Sequence, residues 1–139
     1  FEWVPKTGWN KILFAGPPDR VDRLEANLKG KNGPDHHFVR SEKNYFEIIP
    51  AGADKGTAME RLANLCGITL DKTCAIGDYY NDIPLLQHAA FSSAVEESPE
   101  AVKQAAGFVA GPCQKGAVAD FIEHLTKLVN GGFLPSRNI

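Results

Sequence analysis

The sequence predicts an α/β protein: a parallel sheet covered by helices, preceded by a smaller αββ unit. Three observations carry this. Beyond Pro50, amphipathic stretches alternate three times with short apolar runs, the rhythm of a helix-covered parallel sheet. The run "TCAIG" at 73–77 has no polar alternation beyond Thr73, as expected of a strand covered on both faces. Before Pro50 the pattern differs: one amphipathic stretch, then two runs either side of Glu42-Lys43-Asn44 that read as a hairpin. The change places a boundary near 50–54 and divides the chain into 1–50 and 51–139.

In chain order, 11–15 reads as a strand stopped by Gly16-Pro17-Pro18. The prolines lack the N–H groups that a phosphate cradle uses, so this turn is punctuation. Asp19 is placed as the cap of a helix with Val21, Leu24 and Leu28 on one face and Gly30 near its end. A loop over 31–35 leads to the hairpin strands 38–41 and 45–50. Helix 57–66 then precedes strand 73–76, helix 83–89 precedes strand 91–95, and helix 99–106 precedes strand 108–110. A helix over 117–129 closes the pattern. Cys66 shares an apolar helical face with Leu62 and Ala63, and Cys74 lies in a strand, so both read as core. Cys113 reads as exposed.

Composition narrows the function. The 139 residues are 43% hydrophobic, enough for a packed core. A net charge of -2 gives no footprint for nucleic acid or an anionic membrane. No apolar run approaches the ~20 residues of a membrane span, and no signal-peptide pattern opens the chain. Three cysteines without a CxxC pair suit a reducing cytosol, so a cytoplasmic location is expected. The first residue is Phe1, which raises the expectation of a fragment. His36 and His37 are adjacent before a strand and would point to opposite faces, a poor metal pair. His88 and His124 have no carboxylate or cysteine at ligand spacing.

The chemistry gathers around residues 55 and 77–82. Ligands of an open parallel sheet sit at the carboxyl ends of its strands, and Asp78 lies one residue past such an end, where Gly77 lets the backbone turn. A carboxylate there suits a hard cation. Asp82, followed by Ile83-Pro84, is a good N-cap for the next helix or a second functional acid. Asn81 is a turn residue or a phosphate donor. Lys55 stands just before the helix that starts near Thr57, at the positive end of its macrodipole. A helix antiparallel to the next strand begins where that strand ends, so Lys55 and Asp78 converge on one edge. A lysine, a carboxylate for a cation and a helix N-terminus together suit a phosphate group.

These residues resemble a known family. "IIPAGADKGTAMERLANLCGI" followed by "CAIGDYYNDIPLLQHA" is similar to motifs III and IV of haloacid dehalogenase-like (HAD) phosphatases, in their Cof-type branch. "KILFAGPPDRVDRLEANL" and "HHFVRSEKNYFEIIP" resemble the tail of that branch's αβ (C2-type) cap. The resemblance implies a partial Rossmannoid core with helices on both faces over 51–139, and a cap remnant over 1–50. It implies a magnesium-dependent phosphohydrolase acting on small phosphorylated metabolites through an aspartyl-phosphate. In that reading Lys55 steadies nucleophile and phosphate, Asp78 binds magnesium, Asp82 supports the metal and its waters, and Asn81 contacts phosphate.

The departures are specific. No two aspartates stand two positions apart, so the family's DxDxT motif, which holds the nucleophile, is absent from this sequence. In "AVEESPEAVKQAA", Glu96-Glu97 replace a Gly-Asn of many relatives. Two other readings stand beside the phosphatase: a non-catalytic relative that binds or regulates, and a receiver-like signalling domain. Receivers place their acid pair first and lysine last, the reverse of the order here. In the resembled fold the strand bearing DxDxT neighbours 73–76. Its absence is expected to leave that edge open to self-association, unless residues 1–10 fold back to fill it.

Overall fold

The computed structural model describes residues 8–28, 30, 31 and 33–131. The chain divides into two compact units, Phe1–Ala53 and Asp54–Ile139.

The first unit holds β1 (Ile12–Ala15), α1 (Pro18–Leu28), β2 (His36–Glu42) and β3 (Tyr45–Pro50). Its antiparallel sheet runs β1-β3-β2, with the β2–β3 register shifting between Arg40 and Glu42. The hairpin is therefore longer than its apolar pattern: His36 and His37 pair with Pro50 and Ile49 inside the sheet. α1 starts at Pro18, whose missing N–H is harmless in a first turn. Asp19 thus sits inside the first turn, where it pairs with Arg23 at 3.4 Å instead of capping. Val21 and Phe46 are buried, and Phe46 stacks on Phe38. Arg40, its side chain only 9% exposed, reaches Asp22 and Glu25 of α1 at 2.9 and 2.8 Å. Two carboxylates on one guanidinium hold the helix on the sheet.

The second unit carries α2 (Lys55–Leu65), β4 (Cys74–Gly77), α3 (Ile83–His88), β5 (Phe91–Val95), α4 (Glu100–Ala105), β6 (Phe108–Ala110) and α5 (Ala117–Asn130). Its sheet is parallel in the order β4-β5-β6, as the alternation of helix and apolar run predicts. Successive strand residues face opposite layers, and two cores follow from that period of two. Ala75 and Ala94 join Leu86, Ala89 and Val102 on the side of α3 and α4, with Met59 of α2 packed against them. Their neighbours Ile76 and Val95 belong to the other side, with Ala110, Ala117 and Phe121. Helices therefore cover both faces. His124 serves packing on this second side, stacked on Phe108 at 4.0 Å.

Two expectations fail here. Cys66 and Cys74 are both exposed, like Cys113. The reason is positional: α2 turns Met59 and Ala63 inward, leaving Leu62 and Leu65 at 62% and 86% exposure beside Cys66. Among the described residues β4 pairs only with β5, so Cys74 stands on an open edge. Residues 8–10 form no strand there, and residues 1–7 of the segment considered for that role lie outside the described residues.

Candidate active site at the carboxyl end of the parallel sheet

The site is built around a carboxylate that sequence reasoning placed second. β4 ends at Gly77, Asp78 follows, and a short 3-10 turn, Tyr80–Asp82, brings Asp82 back against the strand end. The Asp82 side chain makes no cap bond to α3. Its Oδ2 instead accepts from the backbone N–H of Asp78 at 3.0 Å and of Tyr79 at 3.3 Å, while Oδ1 receives the Lys55 ammonium. With Asp82 only 4% exposed, its charge is compensated by one cation and two N–H donors.

Gly77 is required by this arrangement, though not for its turn. Its φ is not positive. A Cβ there would lie 2.4 Å from Asp82 Cβ and 2.8 Å from its Cγ. Gly56 does the same service for α2: a Cβ would meet Pro84 O at 2.6 Å. The close approach of α2 to the start of α3 brings the Lys55 side chain within reach of Asp82. Asp54 starts α2, its carboxylate accepting from Thr57 N at 2.9 Å and Thr57 Oγ1 at 3.0 Å. Lys55 is thereby the first helical residue. The Asp-x-x-Thr spacing was the available signal for this cap.

Burial by itself pushes the Asp82 carboxyl up, but the Lys55 ammonium and the two backbone donors outweigh it and hold it below the usual carboxylate range. The stability it contributes is then complete above the unfolded value near ~3.9 and is lost as pH falls through the lower folded value. Urea midpoints measured with EDTA present should accordingly fall more between about pH 4 and 2 in wild type than in Asp82→Asn. Equal slopes in the two proteins would contradict the Asp82 network.

Lys55, Gly77, Asp78 and Asp82 line one cleft of about 420 Å³, together with Cys113 and Gly116 from the loop between β6 and α5. Asp78 is exposed in it, and among the described residues no hydrogen bond or ion pair engages its carboxylate. Lys55 and Asp78 thus share an edge, but the lysine is paired with Asp82. Asn81 is half-buried in the 3-10 turn and does not line the cleft. His88 Nδ1 lies 2.9 Å from Glu60 Oε1, a carboxylate contact between α3 and α2 that sequence spacing could not reveal. Sequence reasoning also missed the 111–116 loop, whose cleft-lining residues carry no charge pattern.

The haloacid dehalogenase-like hydrolase family matches residues 2–122. A HMP-PP phosphatase of Yersinia enterocolitica is 31% identical over 123 residues, covering 87% of this chain and 45% of the relative. The chain spans about half the length of the curated relatives it matches. A haloacid dehalogenase-like hydrolase of Bacillus subtilis superposes with a TM-score of 0.75 at 27% identity, over 89% of this chain and 44% of that one. A HAD subclass IIB sugar phosphatase shares the fold, with a TM-score of 0.70 at 23% identity over 84% of this chain and 43% of its own. With the family's model matched over residues 2–122, the chain belongs to the haloacid dehalogenase-like hydrolases.

Proposed function

We propose that this chain carries the lysine- and metal-bearing half of a magnesium-dependent phosphatase for small phosphorylated metabolites. The observation that supports it best is Asp78, a carboxylate without a partner among the described residues, at the carboxyl end of a parallel strand and in a cleft with a lysine. Carboxylate oxygens are the donors magnesium prefers, so the residues fit the ion. Asp78 would hold it directly. Both Asp82 oxygens are already engaged, so Asp82 would support the metal's waters and fix Lys55. No three His, Cys, Asp or Glu side chains converge among the described residues, so water and oxygens from elsewhere would complete the shell. Bound magnesium supplies neutralisation of phosphoryl charge.

The chain's own residues then bind and orient. Lys55, at the first position of α2, adds a cation where free N–H groups and the helix dipole already favour an anion. Asn81, which the resemblance assigns to phosphate, lies outside the cleft lining, so no phosphate contact is proposed for it. In this reading residues 1–50 are the tail of an αβ cap and 51–139 the later half of the core. Nucleophilic attack cannot start from these residues, because the aspartate pair is missing. The same lack favours, as a second reading, a non-catalytic relative; a DxDxT motif in the upstream reading frame decides for the enzyme. The chain alone, supplied with magnesium, should hydrolyse a generic aryl phosphate no faster than background. Turnover that survives stringent purification and vanishes in Asp78→Ala would overturn the division of labour proposed here.

The β4 edge suggests a partner as well. Among the described residues β4 is paired on one side only, an edge that recruits another chain, and Leu62, Leu65 and Ile68 lie exposed in the same unit. Light scattering is expected to give a mass above the 15.1 kDa of one chain. A monodisperse monomer with a cooperative melt would exclude self-association.

A further inference from the structure

We infer that Glu97 is a positioning residue for this site: its carboxylate holds the 111–116 loop in place as one wall of the cleft. The inference rests on the phosphate reading above and adds to it a residue on a different strand end. Glu97 follows β5 in a turn that Ser98 makes rigid. Ser98, 5% exposed, accepts from Val95 N through Oγ at 3.2 Å and donates its own N–H to Val95 O at 3.0 Å. From that turn, Glu97 Oε2 accepts the Cys113 N–H at 3.2 Å.

The loop it reaches has little else to hold it against the sheet. Lys115 N–H to Pro112 O and Gly116 N–H to Cys113 O are internal to the loop. Gly111 donates to Asp120 Oδ2 at 2.8 Å, which ties the loop only to the helix that follows it. Gly116 has φ +89°, a backbone conformation that L side chains rarely adopt. Among the described residues the Glu97 bond is the one hydrogen bond or ion pair that ties 111–116 to a neighbouring strand end. The bond is 3.2 Å long and solvent-exposed, so its weight lies in its position and not in its strength. Cys113 and Gly116 line the cleft with Lys55 and Asp78, so the bond fixes the spacing between the wall and the charged residues. Loss of the bond releases the loop from the β5 end and widens the space in which a phosphate group is held.

The test uses the 139-residue chain, amide exchange by NMR, and a titration with inorganic phosphate in the presence of magnesium. Glu97→Ala is expected to raise exchange at the Cys113 N–H on the order of tenfold, with Gly111, still bonded to Asp120, changed less than about twofold. Glu97→Gln keeps an acceptor oxygen and should stay near wild type. Phosphate should shift the Cys113 and Gly116 amides in wild type and in Glu97→Gln, while Glu97→Ala should need about tenfold more for the same shift. The Gln rescue and the phosphate shift separate positioning from a merely structural role. Normal exchange and a normal titration in Glu97→Ala overturn the role of Glu97 alone, as does a Gln variant that behaves like Ala. Faster exchange in Glu97→Ala with no phosphate response in any protein overturns the phosphate reading itself.

Discussion

Asp78→Ala is expected to abolish phosphatase turnover, and Lys55→Ala to lower it at least ~100-fold, in a protein that joins this chain to a DxDxT-bearing segment. The two substitutions act on different parts of one charge balance. The cleft is lined by two carboxylates and one lysine, and that lysine is already paired with Asp82. A phosphate dianion entering such a cleft meets net negative charge unless a cation sits on Asp78. Removing Asp78 therefore removes the site of compensation and not merely one contact. Lys55 contributes a point charge whose position is fixed by the Asp82 carboxylate, so its removal also leaves a buried acid without its cation. Steady-state kinetics with saturating magnesium would show both losses mainly in kcat, because both groups act on charge that develops at the phosphoryl oxygens. Near-normal turnover in either variant would show that the assignment of these residues is wrong.

The order of elements was legible from residues 51–139 because apolar runs there are bounded by turn formers. Strands 91–95 and 108–110 match their sequence bounds, and β4 is displaced by one residue, ending on Gly77 instead of Ile76. That Lys55 and Asp78 share one cleft was legible because strand-end topology, not side-chain contact, brings them to one edge. What sequence could not rank was competition. Asp82 has ideal cap chemistry, yet a nearby ammonium and two N–H donors outbid the first turn of α3 for its oxygens. Asp19 is no cap because the helix starts one residue earlier, at Pro18, which suits a first helical position and leaves Asp19 inside the first turn. The burial of Cys66 and Cys74 was misread because an apolar pattern states which residues could be covered, and not what stands beside them.

Gly77→Ala should be among the most damaging single-methyl additions to this chain, costing about 3 kcal/mol of stability, the upper part of the range for overpacking. The new Cβ would stand 2.4 Å from Asp82 Cβ, a contact with the base of a side chain that cannot swing away. Either β4 shifts, disturbing its pairing of Gly77 with Ala94, or the 80–82 turn lifts off the strand end. The second route pulls Asp82 from the N–H groups of Asp78 and Tyr79 and from Lys55, so a steric fault becomes an electrostatic one. Urea unfolding of the wild type, Gly77→Ala, Asp82→Gly and the double variant resolves the cause. Asp82→Gly removes the atoms that clash, so adding Gly77→Ala to it should cost less than about 1 kcal/mol, a coupling of roughly 2 kcal/mol between the two positions. A Gly77→Ala variant as stable as wild type, or two costs that simply add, would mean that the glycine is not there to admit Asp82.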